Sequence, residues 1–264
     1  MANLDDAFAL SLLFHLNSEP RRPAPRRAKL GPEAEFKTLA TLEPGLGLPT
    51  PSPSALTDLM AARHSCRNFA PEAIALDQLA AVLHAGYGIT GVRRGDGDLL
   101  TFRRAVPSAE GIYPLELYVV CHRVERMKSG LYHFNARDRS LEHVSGARPI
   151  TDLLPGLMHD DFVRHASAIT FIAAVLPRAL GEFGARGYRH VLVETGHCAQ
   201  NMCLRATELG LGTLCVGDFY DHYVNSCLGL DGRKEVALYG IALGYSAGEY
   251  ASSAGNDPRQ MSIR

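Results

Sequence analysis

Apolar positions along the chain recur in two rhythms, one helical and one extended. Leu4, Phe8, Leu12 and Leu16 fall four apart and predict a helix over Leu4 to His15. A short helical stretch follows at Ala55 to Ala62. Leu76, Leu79, Ala80 and Leu83 share one face of a helix that Gly86 would cap. Between Tyr188 and Leu209, the residues Leu192, Thr195, Ala199, Met202, Ala206 and Leu209 recur at three and four. That spacing predicts the longest helix, with a buried stripe, ended by Gly210 and Gly212. A shorter helix is expected over Phe219 to Cys227.

The extended stretches are equally legible. Leu115 to Cys121 reads as a strand. Gly130 to Phe134 and Leu141 to Val144 alternate around a turn at Asn135 to Arg139, the pattern of a hairpin. Ala168 to Val175 is a continuous, β-branched apolar run, as expected of a central strand buried on both faces, and Val236 to Leu243 is another. Gly91 to Gly97 reads as a charged loop. Together these predict an α+β fold, with a central, mainly antiparallel sheet flanked by helices.

Two connectors divide the chain. Arg21, Arg22, Arg26 and Arg27 alternate with Pro20, Pro23 and Pro25, which disfavours packing and predicts an extended linker. The alternative is a polybasic patch for RNA or a membrane surface. A second Pro-rich connector spans Pro44 to Pro53. The expected organisation is an N-terminal helix and linker over 1–53, a compact domain over 54–250, and an extended tail over 251–264. Hydrophobic residues make up 46% of 264, enough for an ordinary core, and the net charge of -1 lacks the basic footprint of a nucleic-acid binder. The longest apolar run, Ala166 to Leu176, is too short to span a bilayer. Asp5 and Asp6 stand where a signal peptide would be basic, so a cytoplasmic protein without a membrane partner is expected. The six cysteines, Cys66, Cys121, Cys198, Cys203, Cys215 and Cys227, form no C-x-x-C pair and read as reduced, mostly buried thiols. His197 and Cys198 are adjacent on a helix and point apart, so core packing is preferred there to a metal site.

The candidate chemistry centres on Arg63-His64-Ser65-Cys66-Arg67. Two guanidiniums, an imidazole and a hydroxyl in five residues match the oxygens of a phosphate. The alternative is a solvated basic helix end, favoured by the helix dipole. Further on lies Pro107-Ser108-Ala109-Glu110-Gly111-Ile112-Tyr113-Pro114, where small residues before a strand let a planar ligand approach the backbone. The two stretches together resemble the FMN-binding pattern of the nitroreductase superfamily, and more narrowly that of its SagB-type dehydrogenases, which oxidise azoline rings in modified peptides. Further resemblance runs through Gly181 to Arg189, Thr195 to Asn201 and Leu209 to Thr213, and through Gly130 to Phe134. Phe14 to Glu19 resembles an opening His-x-x-Ser/Thr-Lys segment, with Glu19 in the Lys position. Glu110 stands where that family has a first Gly.

The resemblance implies an intertwined homodimer with FMN at its interface. Arg63, His64, Ser65 and Arg67 would hold the phosphate. Pro107, Ser108, Ala109, Glu110 and Gly111 would line one edge of the ring. Leu211, Gly212, Cys215, Val216, Gly217 and Asp218 would lie opposite, with a backbone N–H near the N5 atom; the alternative for Gly217 is a plain turn. The implied partners are a peptide or peptide-derived substrate and other biosynthetic enzymes. The Lys-Tyr pair of the azoline dehydrogenases is replaced here by Glu182-Phe183. Phe183 cannot transfer a proton, which leaves Tyr188, Glu182, His197 and Tyr113 as acid–base candidates by residue type. Glu182 is equally a surface carboxylate, expected to face solvent or to pair with Arg186 or Arg189. Two other functions stay open: an NAD(P)H-dependent reductase of nitro-aromatics or quinones, and a flavin-fold scaffold without catalysis.

Overall fold

The computed structural model describes residues 4–20, 46–94, 100–145, 150–158 and 160–248. The Arg-rich linker, part of the second connector and the C-terminal tail lie outside them. Seven helices and eight strands alternate through the described residues: α1 (Leu4–Ser18), α2 (Ala55–Ala62), α3 (Leu76–Tyr87), β1 (Ile89–Arg94), β2 (Leu100–Arg104), β3 (Leu115–Cys121), β4 (Gly130–Asn135), β5 (Ser140–Ser145), α4 (Ile150–Leu153), β6 (Ala168–Val175), α5 (Leu176–Phe183), α6 (Arg186–Glu208), β7 (Gly212–Val216), α7 (Asp221–Leu228) and β8 (Glu235–Gly244).

Six strands form one sheet in the order β5-β4-β3-β6-β8-β7, and every ladder in it is antiparallel. β6 lies inside this sheet, which explains its unbroken apolar run. Ala168, Ile172 and Ala174 enter the core beneath α3, α5 and α6, while Ile169 and Phe171 enter a second core beneath α7 and the segment 153–166. A strand covered on both faces has no polar side to show.

Three expectations are corrected. Gly86 does not cap α3; the helix runs one residue further and Gly88 caps it, its N–H donating to His84 O at 2.8 Å. Gly86 is instead where α3 crosses α6: a Cβ there would meet Met202 at 2.6 Å. The charged loop at Gly91 is in part a strand, since β1 pairs with β2 as a separate hairpin. Its β-branched Thr90 and Val92 suit an exposed ladder despite the neighbouring arginines. Leu192 leaves the buried stripe of α6 and is 41% exposed. The stripe that packs is Tyr188, Val191, Thr195, Cys198, Met202 and Ala206. Val191 and Met202 are wholly buried, each contributing about 1.5–3 kcal/mol.

Candidate functional site

α2 starts with a capping box between Ser54 and Thr57 and stops at Arg63, whose N–H still donates to Leu59 O at 3.0 Å. The next residues run alongside β7. Ser65 bridges Thr213 in parallel, and Cys66 N–H donates to Thr213 O at 2.8 Å. The approach is close because position 212 is glycine: a Cβ there would stand 2.7 Å from that of Cys66. Arg63 and Ser65 are half-buried against the strand, whereas His64 and Arg67 are exposed. The Arg67 guanidinium lies 6.0 Å from the centre of the Phe162 ring. Beyond β7, Gly217 is exposed and Asp218 O accepts from Met158 N–H at 3.1 Å. Two of the three predicted cofactor segments, Arg63–Arg67 and Leu211–Asp218, therefore meet in one place.

The third segment, Pro107–Gly111, is held elsewhere. Glu110 (φ 49°), Gly111 (φ 70°) and Tyr113 (φ 51°) are all left-handed. Two non-glycine residues in that region within four positions store strain on the order of 1–3 kcal/mol each. Tyr113 N–H donates to Ser108 Oγ at 2.9 Å, Gly111 N–H to Ser108 O at 3.1 Å, and Arg104 N–H to the Tyr113 hydroxyl at 3.1 Å. Behind the turn sits Glu194 of α6, 3% exposed. It accepts from the Tyr87 hydroxyl at 2.6 Å and also takes the Ser108 hydroxyl. The Tyr87 oxygen in turn accepts from Leu115 N–H at 3.0 Å, and the Arg104 guanidinium stacks 4.3 Å from the Tyr87 ring centre. Burial raises the Glu194 carboxyl above its ordinary range, and the Ser108 and Tyr87 hydroxyls work against that rise. Asn201, about two turns further along α6, donates to both Ala85 O and Ala105 O at 3.2 Å.

Glu194 did not emerge from the sequence as a site residue. A signal was available: it is a charged residue inside the buried stripe, three after Val191 and four before Cys198. The acid–base candidates are scattered. Glu182 is exposed at the end of α5 and makes no ion pair with Arg186 or Arg189 among the described residues. Phe183 packs its ring 4.8 Å from His190. Tyr188 is buried under α1, its hydroxyl sharing a hydrogen bond of 3.0 Å with His15 Nδ1, and burial raises it to about 12. His197 is exposed on the outer face of α6. Two open grooves of about 470 and 580 Å³ lie between α3 and the β4–β5 hairpin, and no predicted site residue lines either. Among the described residues no three His, Cys, Asp or Glu side chains gather to hold a metal ion, and no helix is long and apolar enough to cross a membrane.

This fold, an antiparallel sheet flanked by helices, is that of a family of oxidoreductases. Residues 60–245 match the model of the nitroreductase family, and the chain belongs to that family of oxidoreductases. It is 34% identical over 173 residues to the nitroreductase-like protein MJ1384 of Methanocaldococcus jannaschii, covering 66% of this chain and 83% of that one. It is 30% identical over 144 residues to the microcin B17-processing protein McbC of Escherichia coli, spanning 52% of each. Among solved structures, the E. coli microcin synthetase McbBCD complex with truncated pro-MccB17 bound superposes with a TM-score of 0.71 at 21% identity, over 92% of this chain and 94% of that chain. A nitroreductase of Desulfovibrio desulfuricans in complex with FMN shares the fold at a TM-score of 0.51 and 18% identity, over 81% and 98%.

Proposed function

We propose that this chain is an FMN-dependent dehydrogenase of the SagB type. Its reaction would be the two-electron oxidation of a heterocycle (azoline to azole), or of an amino-acid-derived bond, in a peptide natural product. The observation that carries the cofactor is the strapping of Arg63 and Ser65 onto β7 beside Gly212. The donor set fits a phosphate: Arg63 and Ser65 are held in place, Arg67 is exposed next to them, and His64, also exposed, has its Nδ1 3.0 Å from Ala62 O at the end of α2. Gly217, exposed after β7, leaves backbone free to face a flat ring, and the left-handed turn at Glu110 and Gly111 offers a second backbone edge. When bound, the flavin supplies a reversible acceptor for two electrons. The chain's own residues would bind and orient it, within the flavin-binding domain we assign to 54–250. The peptide substrate and biosynthetic partners rest on the likeness to McbC, by name a microcin-processing protein. Six cysteines, none in a disulfide, accord with a cytoplasmic setting.

An NAD(P)H-driven reductase of nitro-aromatics or quinones is the second reading. It is favoured by the exposure of Glu182 and the packing of Phe183 on His190, which leave no base where the azoline dehydrogenases have one. The decisive measurement is the visible spectrum of the purified protein. A flavin band released by heat as FMN is expected, and Arg67→Ala should weaken FMN binding about tenfold, the scale of one charge-assisted hydrogen bond. A protein that remains colourless after incubation with FMN would end both flavin readings.

A further inference from the structure

Cys203 on α6 and Cys215 on β7 bring their sulfurs within 3.6 Å. They are twelve residues apart in sequence and converge because α6 returns over the sheet and β7 turns back beneath it. The remaining cysteines do not share this arrangement. The Cys66 thiol donates to Asn68 O at 3.3 Å, Cys227 lies 3.8 Å from Asp152 O, and Cys121 and Cys198 are buried in the core. We propose that Cys203 and Cys215 form a reversible redox site, a dithiol that a small hydroperoxide converts to an intramolecular disulfide, with Cys203 as the attacking sulfur.

The surroundings suit that chemistry. The thiol of Cys215 points at Cys203, the Thr213 side chain bonds to it, and the Arg63 guanidinium adds positive charge. These contacts, the Cys215 thiol first, hold Cys203 below the ordinary thiol range against the opposing effect of burial. Cys215 is pushed up, chiefly by the same contact with Cys203. Two sulfurs in contact are what a two-step oxidation needs, one to be oxidised and the other to displace the oxygen. Cys203 is 3% exposed and Cys215 half-exposed, so only a small oxidant reaches the pair. In the first step the Cys203 sulfur attacks a peroxide oxygen. The S–O bond forms, the O–O bond breaks, and the departing oxygen takes a proton to leave as water or an alcohol. The sulfur loses two electrons and the peroxide gains them. In the second step the Cys215 sulfur attacks Cys203, its proton passing to the hydroxyl that leaves as water. A dithiol reductant returns both thiols.

Closing the sulfurs from 3.6 Å to the ~2.05 Å of a disulfide draws β7 toward α6 at the residue before Val216. The proposal does not depend on the flavin. It is tested on the full chain, reduced and then treated with one equivalent of hydrogen peroxide. The expected result is a loss of ~2 Da in the intact mass, reversed by dithiothreitol, with the cross-linked peptide joining positions 203 and 215. In Cys215→Ser the loss should disappear and a sulfenic acid should be trapped at Cys203. The proposal is overturned by a cross-link joining any other pair, or by wild-type protein that gains oxygen without losing two hydrogens. Peptide mapping of the wild type decides the matter even where the serine variant fails to fold.

Discussion

At the scale of single residues, the carboxylate buried behind the Ser108–Tyr113 turn matters most. Glu194 receives Tyr87 and Ser108, and Tyr87 also anchors the start of β3 through Leu115. Replacing it with alanine strands two hydroxyls in a dry place, at a cost of about 1–3 kcal/mol. Glu194→Ala should therefore lower the unfolding free energy by that amount, moving the denaturant midpoint down, and should weaken FMN binding through the loosened turn. An unchanged midpoint would mean that the two hydroxyls find other partners. The basic cluster and the small-residue segment stood out in the sequence by residue type alone, and the structure lays the basic cluster along β7. Glu194 was less legible because a glutamate on a helix is ordinary until its neighbours are known. Glu110 shows the converse. The family resemblance expects glycine there, and the chain keeps a left-handed φ of 49° without one. Ser108 supplies the hydrogen bonds that hold this backbone.

At the scale of elements, the fold was readable where one periodicity dominates. β6 and the buried stripe of α6 needed no tertiary information. The ends of α3 and the β1–β2 hairpin did, because Gly86 serves a helix crossing and the hairpin is held by pairing rather than burial. Even more dependent on tertiary contact is a charged row across β3, β4, β5 and α5. His133 Nε2 lies 3.0 Å from Glu116 and Nδ1 lies 3.1 Å from Glu142, while Arg178 reaches Glu116 at 2.6 Å. The Glu116 hydrogen bond raises His133 above its ordinary 6.5. Burial opposes the fall in Glu116, but the bonds from His133 and Arg178 outweigh it and hold the carboxyl below 4.5. The two shifts set opposite edges. Stability from His133 is complete below 6.5 and is lost as pH rises through its folded value. Stability from Glu116 is present above 4.5 and is lost as pH falls through its lower folded value. The stability difference between wild type and His133→Asn should thus be largest between those two values. It should be at most about 1 kcal/mol for so partly exposed a group, and should shrink above neutrality. A difference that grows from pH 6 to pH 8 would contradict this account.

At the scale of the whole molecule, the proposed flavin site is divided. The segment strapped to β7 and the turn held by Glu194 attach to opposite halves of α6, at Cys203 and Glu194. Nine residues of helix separate them, roughly 13 Å. The outer faces nearby are apolar. Leu192 and Val193 on α6, Leu56 and Met60 on α2, and Leu10, Leu13, Phe14 and Leu16 on α1 are all between 41% and 61% exposed. A groove of about 340 Å³ between α1 and α6, lined by Leu10, Phe14, Tyr188 and Leu192 among others, continues the same surface. Apolar area on that scale is rarely left to water. A second copy packed across α6 would cover it and could set the turn of one chain against the β7 segment of the other, completing a flavin site that neither chain holds alone. The protein should therefore scatter light as twice the 28.6 kDa chain. Val193→Glu, which places a charge on that face without touching either cofactor segment, should drive it toward monomer. Flavin should be lost in the same samples and to the same extent if each site draws on both chains. A monomer that keeps its flavin, in the wild type or the variant, would show that one chain builds the site by itself.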